Sequence, residues 1–346
     1  MQNGVAQSVR QRIVVLGGAG FIGSALVRRL VQQRHTVYVV DNFFHGSPRN
    51  LADIPEVEPV TELDALDYSS LRNYMTRVAP DIVVNCIGDT FIPSAYDMPE
   101  RFLDLNVRTT LNVLRASADV KVKRVLHLSS TEVYGDNAAT ACTELAALAP
   151  ENTYAVSKMA ADRLCYTFAL EHGLPTVIAR LFNAYGPRET HPYIVPEIIA
   201  QLSVSNNVSL GNLAAERDFT YVDDTAAALD ALLWVPVQRG EVFNIGSGKV
   251  ISVGALARLL GALMGHGSIT ISVEDRRLRR RDLDRLCCDS EKLRTRTGWS
   301  PGVGFERGLE MTLEWFKENG SRWLWQERLH DSPGQDGPRL SISQPT

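Results

Sequence analysis

Two patterns of apolar residues alternate along the chain. Ile13 to Leu16, Thr36 to Val40, Val57 to Leu63, Asp81 to Cys86 and Arg124 to Leu128 are short runs with many β-branched residues, and they predict strands. The uncharged ones suit strands covered on both faces. Ser24 to Gln32, Leu71 to Val78, Arg101 to Ala118 and Asn152 to His172 read as the helices between and after them. Such alternation builds a parallel sheet with helices packed on it. In the third helix Asn106 and Thr110 lie one turn apart amid Leu103, Val107, Leu111 and Leu114, so both are expected to face the sheet and bond its irregular backbone. His127 lies inside the fifth strand pattern and reads as a core or sheet-face histidine.

The first strand breaks directly into Gly17-Gly18-Ala19-Gly20-Phe21-Ile22-Gly23, and a helix follows. Glycines let the backbone approach a pyrophosphate, and the helix N-terminus offers it free amides and the positive end of a dipole. Gly23 permits close packing of helix on strand. Two glycine patterns fit, one through Gly17, Gly20 and Gly23 and one through Gly18, Gly20 and Gly23. The second strand leads into Asp41, roughly 20 residues past the turn, where a dinucleotide site needs an acceptor for the adenosine ribose hydroxyls. Its charge repels a 2′-phosphate, so NAD is expected rather than NADP. Gly17, Gly20, Phe21, Ile22, Gly23, Asp41 and Asn42 are the candidate cofactor residues. Asp64, after the third strand, is an adenine contact or an exposed loop carboxylate. The expected fold is α/β: a Rossmann-type doubly wound parallel sheet with a smaller C-terminal substrate-binding lobe.

Composition narrows this picture little. A chain of 346 residues can bury a large core, and a net charge of −4 gives no general pull toward nucleic acid or membrane, despite the basic run from Arg276 to Arg281. No apolar stretch is long enough to span a bilayer. The N-terminus, with Gln2, Asn3, Gln7 and Gln11, lacks the apolar core of a secretory signal, so a cytoplasmic protein is expected. Cys86, Cys142, Cys165, Cys287 and Cys288 are odd in number and without metal-type spacing, which predicts reduced thiols and no metal. Residues 331–346 are rich in Ser, Pro, Gly and Gln without periodicity and predict a disordered tail.

Candidate chemistry begins where the fifth strand opens into Ser129-Ser130-Thr131-Glu132. Pro150-Glu151-Asn152-Thr153 then introduces a helix with Tyr154 and Lys158 on one face. A phenol of pKa about 10 is a poor base at neutral pH, but an adjacent ammonium and a positive nicotinamide ring both favour its phenolate. Lys158 can also hold the nicotinamide ribose, and Ser130 can donate to the same substrate oxygen as the phenol.

With these residues the chain resembles the extended short-chain dehydrogenase/reductase family, the NAD-dependent sugar-nucleotide epimerases and dehydratases. The resemblance rests on the glycine loop, Ser129-Ser130 with Val133-Tyr134-Gly135, Tyr154-Ala155-Val156-Ser157-Lys158, and Arg180-Leu181-Phe182-Asn183-Ala184-Tyr185-Gly186-Pro187-Arg188. It continues through Arg217-Asp218-Phe219-Thr220-Tyr221-Val222-Asp223-Asp224, Phe243-Asn244-Ile245-Gly246-Ser247-Gly248 and Gly298-Trp299-Ser300-Pro301. It implies an NAD-binding domain over residues 1–182. A second lobe, mainly 183–330 with segments returning to the first, would bind the nucleoside diphosphate of a sugar nucleotide. It further implies Tyr154 as base, Lys158 as its electrostatic partner, Ser130 as hydrogen-bond partner, and Asn183 and Arg217 as substrate ligands. Arg217 suits a phosphate by its planar fork, and the acid after it could orient it. Arg188 and Arg279 are further diphosphate candidates. The family's Pro-Gly-Asp after that last arginine is replaced here by Arg280-Arg281-Asp282, and its pair of alanines after the fourth strand by Ile87-Gly88.

The implied chemistry is oxidation at C-4 of the hexose to a 4-keto intermediate. A 4,6-dehydratase then eliminates water, an epimerase returns the hydride to the other face, and a decarboxylase expels a carboxylate. Dehydration needs a carboxyl group at C-5 and C-6, which makes Glu132 the discriminating residue and a nucleotide-sugar 4,6-dehydratase the expected activity. Leu210-Gly211-Asn212-Leu213 also looks like a branch resembling GDP-mannose 4,6-dehydratase. Thr131 stands where some dehydratases carry an aspartate, so a 4-epimerase is the alternative. A UDP-glucuronate decarboxylase and a non-enzymatic NAD-binding protein on the same fold are the remaining readings. The helices Arg101 to Ala118 and Asn152 to His172 look like the pair through which the family forms homodimers.

Overall fold

The computed structural model describes residues 10–54, 56–136, 141–279, 281–323 and 325–326. The expected tail over 331–346 and Arg280 lie outside the described residues. The apolar runs form β1 (Arg12–Leu16), β2 (Thr36–Asp41), β3 (Thr61–Glu62), β4 (Ile82–Asn85), β5 (Arg124–Ser130) and β6 (Thr176–Leu181). Between them lie α1 (Phe21–Gln32), α2 (Tyr68–Val78), the short α3 (Ile92–Ala95) and α4 (Pro99–Phe102), α5 (Thr109–Asp119) and α6 (Thr153–Glu171). The later chain adds β7 (Asn183–Tyr185), α7 (Ile194–Leu202), β8 (Asn207–Leu210), β9 (Glu216–Tyr221), α8 (Val222–Trp234), β10 (Glu241–Ile245) and β11 (Val250–Ser252). It ends with α9 (Val253–Leu263), β12 (Thr270–Val273), β13 (Arg285–Leu286), α10 (Glu291–Thr297) and α11 (Phe305–Glu318).

A seven-stranded parallel sheet in the order β10-β6-β5-β4-β1-β2-β3 forms the frame. β1 pairs β2 on one side and β4 on the other, so the strand order reverses at β1, and ligands in open α/β sheets collect beyond the strand ends at such a point. Val15, Val39, Leu26 and Leu30 pack with Leu229, Leu232 and Phe243 in one core, so α8 and β10 return to the first half of the molecule. A second core gathers Tyr185, Ile198, Phe219, Leu256, Leu309 and Trp323. Each such fully buried side chain contributes about 1.5–3 kcal/mol, so both halves are driven by ordinary apolar burial.

Three expectations change. The third strand is not Val57 to Leu63 but the two residues of β3, because Pro59 lacks an amide donor and Glu56 and Glu58 precede it. The helix read from Arg101 to Ala118 contains a π-helical turn over Leu103–Arg108, which separates α4 from α5. Such turns often mark functional sites. β5 extends through Ser130, so both serines stand in the strand rather than after it. Asn106 does bond irregular backbone: its Oδ1 accepts from the Asp89 amide at 3.0 Å and its Nδ2 donates to the Asp89 carbonyl at 3.0 Å. Buried His127 is a sheet histidine against Asn85, and burial drives its pKa down to about 3. All five cysteines are free thiols. No helix among the described residues is long and apolar enough to cross a membrane.

Candidate active site

A cleft of about 790 Å³ crosses the C-terminal ends of the sheet. At one end the glycine loop forms its floor. Gly17 has φ +72°, and a Cβ there would stand 3.0 Å from the Cys86 carbonyl carbon. A Cβ on Gly23 would stand 2.2 Å from the Gly17 carbonyl oxygen, so the turn from strand to helix requires glycine. Gly18 instead backs onto Val15 and Val39. Gly17, Gly20 and Gly23 line the cleft with Phe21 and Ile22, as the first of the two glycine patterns expects. α1 starts at Phe21 with no side-chain cap, leaving its first amides to an anion. Asp41 is buried at the cleft wall, where its carboxylate accepts from the Ala19 amide at 3.0 Å and the Phe43 amide at 2.9 Å. Asn42 donates to Asp64 at 3.3 Å, and both line the cleft.

At the middle of the cleft, Ser130 ends β5 and its hydroxyl lies beside the phenol of Tyr154. Asn152 caps α6 by accepting from the Ala155 amide at 2.8 Å, and its Nδ2 donates to Glu132 at 3.3 Å. One residue thus fixes both the start of the Tyr154 helix and the Glu132 carboxylate. Burial pushes the Tyr154 phenol above its ordinary range. The Ser130 hydroxyl opposes that shift, while the charges of Glu132 and Asp89 add to it. Lys158 is buried, which lowers its pKa to about 8, and its Nζ donates to the Leu128 carbonyl at 2.5 Å. Lys158 Nζ thus donates to the β5 backbone, and burial is the largest influence on the phenol; Lys158 as electrostatic partner of the phenolate belongs to the proposal below.

The far end is built by side chains. Asn183 lines the cleft and donates to the Asp218 carbonyl at 3.3 Å. Arg217 is buried there, with Nη2 2.7 Å from Asp282. Asp218 does not orient it. Alternation along β9 turns Asp218 the other way, to accept from the amides of Ser247, Gly248 and Cys288 at 2.8, 2.8 and 3.0 Å. Arg279 lines the cleft between Asp282 at 3.8 Å and Glu132 at 4.0 Å. Arg276 and Arg277 line it too, paired with Glu274 at 2.5 Å and Glu197 at 2.8 Å. Arg188 is not brought to the cleft lining. Its backbone has φ +70°, and its side chain pairs with Asp53 at 3.3 Å, outside the lining.

Residues not singled out from the sequence complete the walls. Glu189 is buried and lines the cleft, and burial pushes its carboxyl well above the ordinary range. Tyr193 reaches the Thr90 hydroxyl. Asp282 partners Arg217, and only its place in Arg280-Arg281-Asp282 hinted at that. His45, Asp89 and His191 have ligand-type atoms within 4.8 Å of one another. Arg101 Nη2 lies 2.6 Å from Asp89 Oδ2 and 3.1 Å from His45 Nε2, so a guanidinium stands against this group.

Comparison with known proteins agrees with this arrangement. The model of the family described as GDP-mannose 4,6 dehydratase matches residues 14–312. The chain is 30% identical to UDP-N-acetyl-alpha-D-glucosaminuronate decarboxylase of Bacillus cytotoxicus, over 90% of this chain and 99% of that one. The dTDP-glucose 4,6-dehydratase DesIV of Streptomyces venezuelae, solved with NAD, superposes with a TM-score of 0.83 at 28% identity, covering 90% of this chain and 99% of that one. UDP-glucose 4-epimerase of Thermotoga maritima gives a TM-score of 0.82 at 29% identity, covering 89% and 99%. The glycine floor, the Ser130–Tyr154 contact and these matches have one conclusion: the chain is an enzyme and belongs to the GDP-mannose 4,6 dehydratase family, within the NAD-dependent sugar-nucleotide epimerases and dehydratases.

Proposed function

We propose that the enzyme is a nucleotide-sugar 4,6-dehydratase with NAD as its cofactor. Solved relatives with NAD bound support the cofactor, and the cradle of this chain fits it. A Cβ at Gly17 or Gly23 would press on the backbone of the turn that presents the α1 N-terminus to the cleft, and Asp41 lies where the adenosine ribose would sit. Gly17, Gly20 and Gly23 would hold the pyrophosphate, with Phe21 and Ile22 beside it. Asp41, Asn42 and Asp64 would hold the adenosine, and Tyr154 and Lys158 the nicotinamide ribose. When bound, NAD supplies the acceptor and later the donor of a hydride.

Tyr154 takes the proton of the C-4 hydroxyl, with Ser130 donating to the same oxygen and Lys158 as electrostatic partner of the phenolate. Arg217, Arg279 and Asn183 receive the nucleoside diphosphate. Glu132 carries the dehydratase reading: it lines the cleft beside Ser130 and Tyr154, with one oxygen held by Asn152 and the other 4.0 Å from Arg279. From there it takes the C-5 proton and returns it to the departing C-6 hydroxyl, so that water leaves.

The 4-epimerase is the second reading, favoured by Thr131 in the place of an aspartate and by the likeness to UDP-glucose 4-epimerase. Turnover of UDP-, dTDP-, GDP- and CDP-hexoses read by mass separates the two: loss of water supports the dehydratase, and an isomer of unchanged mass the epimerase. A homodimer through the helices around Leu103, Val156 and Leu170, whose side chains are exposed, belongs to the same proposal. Light scattering at micromolar concentration tests it.

A further inference from the structure

A chain of polar contacts, part-buried at the loop end and buried from Asp89 onward, runs from the loop after β2 to the catalytic helix. The loop carries Asp41 and Asn42 into the cleft and continues through Phe44 and His45, which line the same wall. Arg101, from α4, meets both. Its guanidinium lies 4.2 Å from the centroid of the Phe44 ring and its Nη2 donates to His45 Nε2 at 3.1 Å. The same Nη2 stands 2.6 Å from Asp89 Oδ2. Asp89 is almost wholly buried and is fixed through its backbone by both ends of the Asn106 amide. Asn106, in the π-helical turn, also donates to Ser157 Oγ at 2.8 Å, and Ser157 Oγ donates to the Tyr154 carbonyl at 2.7 Å.

We infer that Arg101 is a positioning residue that locks the adenosine end of the cofactor site to the helix of Tyr154, and so holds NAD in the enzyme; this rests on the NAD reading above. Two physical points carry it. A guanidinium can serve a ring face, a ring nitrogen and a carboxylate at once, which a simple ion pair cannot. The Asp89 carboxylate is buried, so its ion pair with Arg101 is little screened by solvent. The three groups it joins come from two separate segments, the Phe44-His45 loop after β2 and the Asp89 loop after β4, and both line the cleft or lie directly behind its wall. His45 Nε2 itself stands 3.7 Å from Asp89 Oδ2, so Arg101 sits where the loop and the Asp89 segment already approach each other and ties them together.

The test is the rate at which NAD leaves the full-length enzyme, measured by chasing NAD-loaded protein with an NAD-consuming dehydrogenase. Arg101→Met should raise that rate about tenfold, the effect of roughly 1.4 kcal/mol, and should raise the KM for added NAD more than it lowers kcat. Arg101→Lys should fall between, because an ammonium can hold Asp89 but not the ring and the imidazole together. Hydrogen exchange of the ligand-free protein should show the amides of 42–46 losing protection in Arg101→Met. Since that variant strands a buried carboxylate, His45→Ala provides a second cut at the loop side and should also speed NAD release. If wild-type enzyme holds NAD and both variants release it at the wild-type rate, the lock is wrong. If wild-type enzyme binds no NAD, the cofactor reading falls and this inference falls with it.

Discussion

Gly17, Gly20 and Gly23 lie within seven consecutive residues of one strand, turn and helix, whereas Arg217 reaches its partner Asp282 across 65 positions of sequence. At the cofactor end the backbone itself makes the site, and Gly17 and Gly23 are required because of a positive φ at the one and a collision of any Cβ at the other. At the substrate end side chains make it, and their pairing depends on which strands come together. The contrast shows where adjacency in sequence can be trusted. It holds where local geometry forces the residue type, and it fails at Arg217 and Asp218, whose neighbouring charges face opposite sides of β9 and serve different partners.

The largest way to break this comparison is at the point where the two ends meet. Tyr154→Phe keeps the ring that packs in the cleft and removes only the proton acceptor, so turnover should fall by about 10²–10⁴ while NAD binding persists. Stopped-flow absorbance of NADH with the true substrate checks it, and wild-type turnover would remove Tyr154 from the mechanism. At the substrate end, Arg217→Met should raise the KM for the sugar nucleotide roughly 10–100-fold, whereas Arg188→Met should change it less than about twofold. Equal effects of the two substitutions would return Arg188 to the site.

Asp41→Ala probes the cofactor end more gently. It should weaken NAD about tenfold by calorimetry and narrow the gap to NADP, because the carboxylate that would oppose a 2′-phosphate is gone. A smaller effect concerns the frame. His127 has its pKa lowered to about 3 by burial, while an unfolded chain would hold it near the ordinary 6.5. Between those values the unfolded state binds the extra proton, so the contribution of His127 to stability rises with pH over about 3 to 6.5 and falls on acidification. His127→Gln should flatten the decline of Tm between pH 6 and 4, and an unchanged slope would show that other groups govern acid unfolding.

The frame was legible because alternating apolar runs and glycine turns are local signals. The π-helical turn was not, since Leu103 to Arg108 keeps an apolar pattern that fits a plain helix. Among site residues, Ser130, Tyr154 and Lys158 could be placed in one cleft from strand end and helical spacing, but the direction of Lys158 Nζ could not, because the Leu128 carbonyl that takes it is backbone. Asp89 and Arg101 gave no signal at all. They sit 12 positions apart in a loop and a short helix, and their pairing follows from tertiary packing around Asn106.

The central claim is that Glu132 turns a shared 4-keto chemistry toward loss of water. The most direct measurement is the mass and deuterium content of the product formed in deuterated water by wild-type enzyme and by Glu132→Gln. The dehydratase account predicts a wild-type product lighter by one water with solvent deuterium at C-5, and for Glu132→Gln no water loss and no exchange at C-5 although NADH absorbance still develops. A wild-type product of unchanged mass with C-4 inverted and no deuterium at C-5, together with near-normal turnover by Glu132→Gln, would contradict the account and make the enzyme a 4-epimerase.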